Sequence, residues 1–280
     1  MPAPDAPIFV TFLSDFGTSD DFAGICHGVI NLICPEAQVI HVTHGIQPQA
    51  IGQGARVLAG AIPYLPVGVH LAVVDPGVGS ERRAVALRTG DGRRFVGPDN
   101  GLLILAADAS GGVVEAVAIT NPQIMLQPVS RTFHGRDVFA PAAARLAGGM
   151  PMSELGPPID PADLVRRQTP DHRIEGSVVH APVQYIDRYG NIQLAVSGGE
   201  LDGLFQLGRM AEIDTGDDRY YARCSDTFTD VGPGEFVLYE DSSGLLSFAL
   251  NRGNAAELTA TEVGAEIAID LAPRLYEELT

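Results

Sequence analysis

The chain contains 280 residues, of which 45% are hydrophobic, and carries a formal net charge of -17 at pH 7. This size and composition predict a folded protein with a substantial core and exclude an intrinsically disordered one. The acidic charge argues against a nucleic-acid backbone or an anionic membrane surface as the partner, because both bind basic patches. It is compatible with a cationic ligand, and also with a charged surface that only keeps the protein in solution.

The first half of the chain alternates short apolar runs with helical patterns. In chain order we predict a strand over Ile8–Leu13, a helix over Asp20–Cys34 that Pro35 ends, a strand over Ala37–Val42, a helix over Pro48–Leu65, strands over Val69–Val74, Arg83–Arg88 and Val113–Ile119, and a helix over Asp137–Ala147. This alternation predicts an α/β domain with a mostly parallel sheet and helices on both faces.

The pattern changes in the Pro- and Gly-rich stretch 148–171, which we interpret as a linker between a domain over 1–165 and a domain over 172–280. The second domain contains short strand-like runs separated by glycine turns, namely Ser177–Ile186, Asn191–Val196, Arg209–Asp214, Glu235–Glu240, Leu245–Leu250 and Glu266–Leu271. Such closely spaced strands predict an all-β domain, either a small antiparallel barrel or a sandwich.

The termini and cysteines predict a cytoplasmic protein. The start MPAPDAP lacks the basic and apolar regions of a signal peptide, and no run approaches the ~20 apolar residues of a membrane span. Three cysteines without a C-x-x-C pair predict neither a disulfide framework nor a zinc site. The histidines His27, His41 and His44 show no metal-binding spacing, so no metal is expected.

Polar residues follow several predicted strands of the first half, where open parallel sheets bind their ligands. Asp15 comes directly after the first strand and is placed to bind the two hydroxyls of a ribose. Asp75 follows an apolar strand, where partial burial favours a general base, and Arg82 can pair with it across a glycine turn. His134 is flanked by glycine and charged residues and not by an apolar stripe, which makes it a further candidate. A turn aspartate in a structural ion pair is the alternative for Asp75, and a buried structural histidine is the alternative for His134.

Further candidates lie in the second half. The turn Asp187-Arg188-Tyr189-Gly190-Asn191 combines groups that can stack on and hydrogen-bond a purine, although it is also an ordinary hairpin turn. The segments around Ser242 and Asn254 are equally ambiguous when each is taken alone.

Together, these segments resemble one family along nearly the whole chain. The stretches SDFGTSDDFAG, VVDPGVGSERR, VGPDNGLL, TFHGRDVFAPAAA, YIDRYGNIQL and SSGLLSFALNRGNAAE occur in the order found in the S-adenosyl-L-methionine hydroxide adenosyltransferases, which are relatives of fluorinase and chlorinase. The resemblance implies an N-terminal α/β domain and a C-terminal β-barrel. It also implies a homotrimer in which each ligand lies between the N-terminal domain of one subunit and the C-terminal domain of its neighbour.

The resemblance implies a role for each matching residue. Asp75, Arg82 and His134 match the set that handles water, and Asp15 matches the ribose-binding aspartate. The remaining matches are on the methionine or adenine side of the substrate: Asp187 and Ser242 for methionine, and Tyr189, Asn191, Asn254 and Ala255 for adenine.

The same residues distinguish two branches of these enzymes. Fluorinase is similar but carries Tyr and Thr where this chain has Asp75 and Val78, and Tyr-Ser where it has His134-Gly135. Gln49 stands where halogenating relatives carry a tryptophan, and its role stays unassigned. The resemblance therefore implies hydrolysis of S-adenosyl-L-methionine to adenosine and L-methionine, with no cofactor. The alternatives are a halogenase, an adenosine-binding protein without turnover, and a metal-dependent hydrolase.

Overall fold

The computed structural model of the protein describes residues 8–167 and 171–273. The predictions made for 1–7, 168–170 and 274–280 lie outside these residues. The chain forms two compact units, Met1–Gln168 and Thr169–Thr280. None of the helices within the described ranges is both long and apolar enough to cross a bilayer.

The first unit is built on a seven-stranded sheet. Its strands are β1 (Ile8–Ser14), β2 (Ala37–Thr43), β3 (Val69–Val73), β4 (Ala84–Thr89), β5 (Arg94–Pro98), β6 (Val113–Ala118) and β7 (Pro158–Ile159). They lie in the order β2-β1-β3-β5-β4-β6-β7. The pairs among β2, β1, β3 and β5 are parallel, and the remaining pairs are antiparallel.

Helices cover both faces of this sheet, as the sequence predicts. They are α1 (Phe22–Ile33), α2 (Ile51–Ala61), α3 (Ile104–Ala109) and α4 (Ala140–Ala147), and a π-helical turn, Gly135–Phe139, leads into α4. Successive residues of a strand point to opposite faces. Phe12 accordingly packs in the apolar cluster of α1 and α4, whereas Leu13 packs in the cluster of α2 and α3.

Two elements between β4 and β6 were not predicted. The β5 segment contains Gly97 and Pro98, which normally indicate a turn. In the fold, a Cβ at position 97 would collide with the Ala72 carbonyl, so the adjacent strand backbone requires glycine there. The α3 helix has six residues, too few to show a helical period.

The stretch 148–171, predicted as a linker, is partly built into the first unit. Its strand β7 pairs with β6, and the side chains of Met152, Leu155 and Leu164 are buried. These three apolar residues are spread among prolines and glycines, so they show no period that would indicate an element.

The second unit is an all-β barrel, as the sequence predicts. Its elements are β8 (Arg173–Glu175), β9 (Val178–Ile186), β10 (Ile192–Ser197), β11 (Met210–Asp214), β12 (Arg219–Cys224), β13 (Phe236–Glu240), β14 (Leu245–Leu250), the short helix α5 (Ala255–Leu258) and β15 (Glu266–Asp270). Pairing of β9 with β10 closes seven strands, and β8 adds to β9. Only the pair β12–β13 is parallel among those described. The unpredicted β12, RYYARC, buries only Ala222 and Cys224, so its polar residues hide the strand pattern.

Candidate active site

Three side chains from separate parts of the first unit form a hydrogen-bonded group. Asp75 follows β3, Arg82 precedes β4, and His134 precedes the π-helical turn. The Arg82 guanidinium donates from Nε to Asp75 Oδ1 over 2.9 Å, and its Nη2 donates to Asp75 Oδ2. The same Nη2 lies 3.0 Å from His134 Nδ1. The side chains of Arg82 and Asp75 are only 10% and 6% exposed, so little water screens this ion pair.

The guanidinium also fixes the proton position on His134. Arginine has only donors, so His134 Nδ1 must accept, and the neutral ring then carries its proton on Nε2. Burial lowers the pKa of His134, and the Arg82 charge lowers it further, while Asp75 and Asp137 oppose this shift. A second ring proton would place an N–H against the Arg82 N–H groups, so the geometry and the direction of the pKa shift agree on a neutral ring.

Local turns bring these side chains together. Gly79 has a φ of 77°, and a Cβ there would press on the Arg131 carbonyl, so the turn between Asp75 and Arg82 requires glycine. The buried Asp137 carboxylate accepts from the Ser130 amide over 2.8 Å and from the Arg136 guanidinium. These bonds hold the loop that presents His134.

Asp15 lies at the end of β1, where the sequence places it. Its Oδ2 accepts a hydrogen bond of 3.0 Å from the Gln49 amide. Burial raises the pKa of Asp15, and the charge of Asp75 adds to the increase, while the Gln49 amide opposes it. Gln49 adopts a left-handed φ of 68°, which is uncommon for a residue other than glycine and is typical of functional sites.

A cavity of about 260 Å³ collects these residues. Asp15, Asp75 and His134 line it. Arg82 is not among the lining residues and joins Asp75 to His134 through hydrogen bonds. Gly135 leaves room for the Phe16 ring, which a side chain at position 135 would contact. The other lining residues are Phe16, Gln49, Val73, Pro76, Val78, Thr132, Phe133 and Gly135.

Candidates from the second half gather around a groove of about 540 Å³ in the barrel unit. Tyr189, Asn191 and Asn254 line it, as the sequence suggests. Phe228 and Arg252 also line it; Arg252 belongs to the ambiguous segment around Asn254, whereas Phe228 was not predicted. Phe228 is 38% exposed at the start of the turn Phe228–Asp230, and no local pattern in the sequence marks it.

Asp187 holds the turn that carries Tyr189 and Asn191 in place through three hydrogen bonds. Its Oδ1 accepts from the amides of Tyr189 and Asn191 over 2.8 and 2.9 Å, and its Oδ2 accepts from Asn191 Nδ2 over 2.8 Å. Because the side-chain Nδ2 of Asn191 donates to Asp187, its Oδ1 is the atom that can accept a hydrogen bond from a ligand. Gly190, with a φ of 81°, lies so close to the Asn254 side chain that a Cβ would collide with it.

The remaining two candidates, Ala255 and Ser242, are not among the residues that line the groove. Ala255 is buried as the first residue of α5, which Asn254 caps by accepting from the Glu257 amide over 2.9 Å. Ser242 is exposed in the turn between β13 and β14 and is not among the groove residues. Within the described ranges, no group of three or more His, Cys, Asp or Glu side chains is arranged to hold a metal ion.

Comparisons with known proteins match both units of the chain to one family. The model of the S-adenosyl-L-methionine (SAM) hydroxide adenosyltransferase N-terminal domain matches residues 10–156, and that of the C-terminal domain matches residues 181–268. The (R)-S-adenosyl-L-methionine hydrolase of Salinispora tropica is 47% identical over 261 residues, which cover 93% of this chain and 97% of the relative. A fluorinase from an Actinoplanes species is 28% identical, and the match covers 96% of this chain and 99% of the fluorinase.

A solved structure is similar along the same length. The crystal structure of an uncharacterized conserved protein from Thermotoga maritima superimposes with a TM-score of 0.85 at 32% identity. The match covers 93% of this chain and 99% of that one. The similarity in sequence and structure therefore includes both units.

Proposed function

Because this chain belongs to the SAM hydroxide adenosyltransferase family, we propose that it is an enzyme that hydrolyses S-adenosyl-L-methionine to adenosine and L-methionine. The observation that carries this proposal is the joint lining of one cavity by Asp15, Asp75 and His134, with Arg82 bonded to the last two. A ribose-binding carboxylate and a set of groups that can hold water then face the same space.

The substrate is divided between two binding regions. Asp15 accepts from the ribose hydroxyls in the cavity, as acidic residues do in other nucleotide-binding folds. In the barrel groove, the exposed rings of Tyr189 and Phe228 stack on adenine, and Asn191 Oδ1 accepts from its amino group. Asn254 lines this groove and Ala255 follows it in α5, while the family resemblance assigns Ser242 and Asp187 to the methionine side.

Catalysis requires a positioned nucleophile more than it requires a proton donor. Water attacks the ribose C5′ in line with the C–S bond, the bond electrons leave on sulfur, and neutral methionine departs. No group needs to protonate the leaving sulfur, and the step needs no cofactor. Holding water and C5′ in attack geometry contributes up to roughly 7–11 kcal/mol of barrier reduction.

Asp75 receives the water proton in this proposal. The Nδ1 atom of His134 is occupied by Arg82, and its Nε2 carries a proton. His134 therefore donates a hydrogen bond to the water oxygen and orients it, whereas the Asp75 carboxylate is the remaining acceptor. Arg82 donates to both oxygens of that carboxylate and holds it in place beside the water.

Halogenation is the competing reaction, and the charges in the cavity oppose it. The Asp75 carboxylate lines the cavity where fluorinase carries a tyrosine, and its charge is directed at the nucleophile. Arg82 offsets this charge only in part, because its donors point at Asp75 and His134, so an anion is disfavoured next to the carboxylate. Neutral water carries no such penalty.

A product assay in labelled water tests the proposal. The purified protein is incubated with each sulfur epimer of S-adenosyl-L-methionine in H₂¹⁸O, with and without chloride or fluoride. We expect adenosine labelled at its 5′-oxygen, formed at a rate that halide does not change. A 5′-halo product, adenosine without label, or tightly retained adenosine without turnover would each overturn it. Loss of activity in EDTA would instead favour the metal-dependent hydrolase.

We also propose that the active form is a cytoplasmic homotrimer in which one subunit supplies the cavity and its partner the groove. Asp75→Ala chains are mixed with chains carrying Tyr189→Ala and Asn191→Ala. Random exchange restores roughly a quarter of the sites, because each needs one intact surface from each chain type. Each variant alone is expected to be inactive. Mixed trimers without recovered activity would show that the site lies within one subunit, and a particle of another size would contradict the trimer.

A further inference from the structure

Three histidines and a serine form a continuous hydrogen-bonded chain next to the cavity. His27 lies on α1, His41 on β2 and His44 just after β2. The His27 Nδ1 and His41 Nε2 atoms are 2.9 Å apart, and His41 Nδ1 and His44 Nε2 are 2.6 Å apart. The chain continues from His44 Nδ1 to Ser14 Oγ over 2.7 Å. It thus runs from exposed His41 and half-buried His27 to the fully buried Ser14.

The inner end of this chain is attached to the loop that carries Asp15. The Phe16 amide donates to Ser14 Oγ over 3.3 Å, and the Gly17 amide donates to the His44 carbonyl over 2.8 Å. His44 therefore holds both sides of Asp15 through one side-chain and one backbone contact. The Phe12 ring packs edge-on against His44, with ring centroids 4.7 Å apart, and fixes the imidazole plane.

We propose that His44 is a positioning residue, which holds the Ser14–Gly17 loop in place through Ser14 and so sets the affinity of Asp15 for the ribose. This inference rests on the proposed function of Asp15. The same loop carries Phe16, whose ring lies against Gly135 next to His134, so the loop position also affects the surroundings of His134.

The donors and acceptors of the chain limit the number of protons that it can hold. A neutral imidazole donates once and accepts once, so three rings and one hydroxyl connect without conflict in either direction. One extra proton can be accommodated on a ring that donates to both neighbours, but a second places N–H against N–H. Burial lowers the pKa of His41, with the His27 charge adding to it, and lowers the pKa of His44 to about 4, with the His41 charge adding to it.

Because the pKa values of His41 and His44 are lowered, the hydrogen bond from His44 to Ser14 is expected to fail at acid pH and not at alkaline pH. The groups facing the chain are Phe12 and Ser14 of β1 and the neighbouring imidazoles themselves. A histidine with a lowered pKa stays neutral below its usual value of 6.5. The chain is therefore neutral at neutral pH and tolerates one added proton, and a second disrupts it only as pH falls to about 4, so KM is expected to rise there and not at pH 6.5.

Two substitutions of His44 separate anchoring from packing. Asn reproduces the position of Nδ1 and can keep the Ser14 contact, whereas Gln reproduces Nε2 and keeps only the His41 contact. We expect His44→Gln to raise KM for S-adenosyl-L-methionine about tenfold, the effect of losing one hydrogen bond that holds a binding group. We expect kcat to stay unchanged, and His44→Asn to leave KM within about threefold of the wild type. His180→Asn, in the barrel unit, is the control for substituting a histidine.

The amide resonances of Phe16 and Gly17 give a readout that does not depend on turnover. We expect them to shift in His44→Gln and to remain in place in His44→Asn and His180→Asn, with melting temperatures recorded for all variants. Equal KM values and unshifted amides in both His44 variants would overturn the inference. A wild-type protein that releases no adenosine, but whose amides respond as expected, would instead overturn the proposed function while supporting the anchor.

Discussion

Replacing Asp75 by asparagine is expected to lower kcat by about 10²–10⁴-fold, the range usually contributed by a positioned general base. The asparagine side chain has the same shape and can still accept one bond from Arg82, but it cannot accept the proton that water loses during attack on C5′. KM should change little, because Asp75 faces water and not the adenosine or methionine parts of the substrate. Steady-state kinetics of adenosine release, followed by chromatography, measure both constants.

A second ion pair in the same unit, in which the carboxylate is buried and the guanidinium is 39% exposed, provides the control. Arg83 Nε donates to Asp99 Oδ2 over 2.8 Å, and the Asp99 side chain is 3% exposed. Asp99→Asn therefore disturbs a comparable pair outside the residues that line the cavity. It is expected to destabilise the protein without lowering kcat per folded molecule. If Asp75→Asn and Asp99→Asn lowered kcat equally, the loss would report on stability, and Asp75 would have no role as a base.

The sequence predicts the elements whose residues carry a clear period or a clear strand-end position. The strands before Asp15 and Asp75 are apolar and buried on both faces, so both their existence and the position of the following carboxylates can be read from the sequence. The Asp75–Arg82 ion pair follows from their spacing across a glycine turn.

Other features depend on contacts between distant segments, which no local pattern records. His134 reaches Arg82 from 52 positions away, and the His44–Ser14 bond joins residues 30 apart. The three histidines show no metal spacing, and in the fold they bind one another. Phe228 is isolated in the sequence and becomes part of a groove only when the barrel closes. The resemblance to a family predicts Asp75, Arg82 and His134 as one set, but the proton position on His134 required the geometry of Arg82.

Removing the Arg82 guanidinium tests its part in the hydrogen-bonded group of Asp75, Arg82 and His134. In Arg82→Met the thioether can still pack against the Phe139 ring, over which the guanidinium lies with 5.1 Å between its carbon and the ring centroid. The Asp75 carboxylate, 6% exposed, then loses its only cationic partner in this group. Breaking a buried pair in this way typically costs about 3–5 kcal/mol while the carboxylate stays charged, so Asp75 is expected to take up a proton at neutral pH. Activity at pH 7 should then fall about as far as in Asp75→Asn.

The pH dependence distinguishes this loss from a structural defect. A buried carboxylate without a partner can remain protonated up to a pH of about 8–9, so raising the pH ionises it again and restores part of the rate. The wild-type rate should change little over the same range, because its Asp75 carboxylate retains the guanidinium partner. Arg82→Lys retains the charge but cannot contact both Asp75 oxygens and His134 at once. Its rate at pH 7 is therefore expected to lie between those of the wild type and Arg82→Met. Should Arg82→Met stay inactive up to pH 9 with an unchanged melting temperature, Arg82 would be required for more than the ionisation of Asp75. The orientation of His134 through Nδ1 would then be the function to test next, by comparing His134→Gln with His134→Asn.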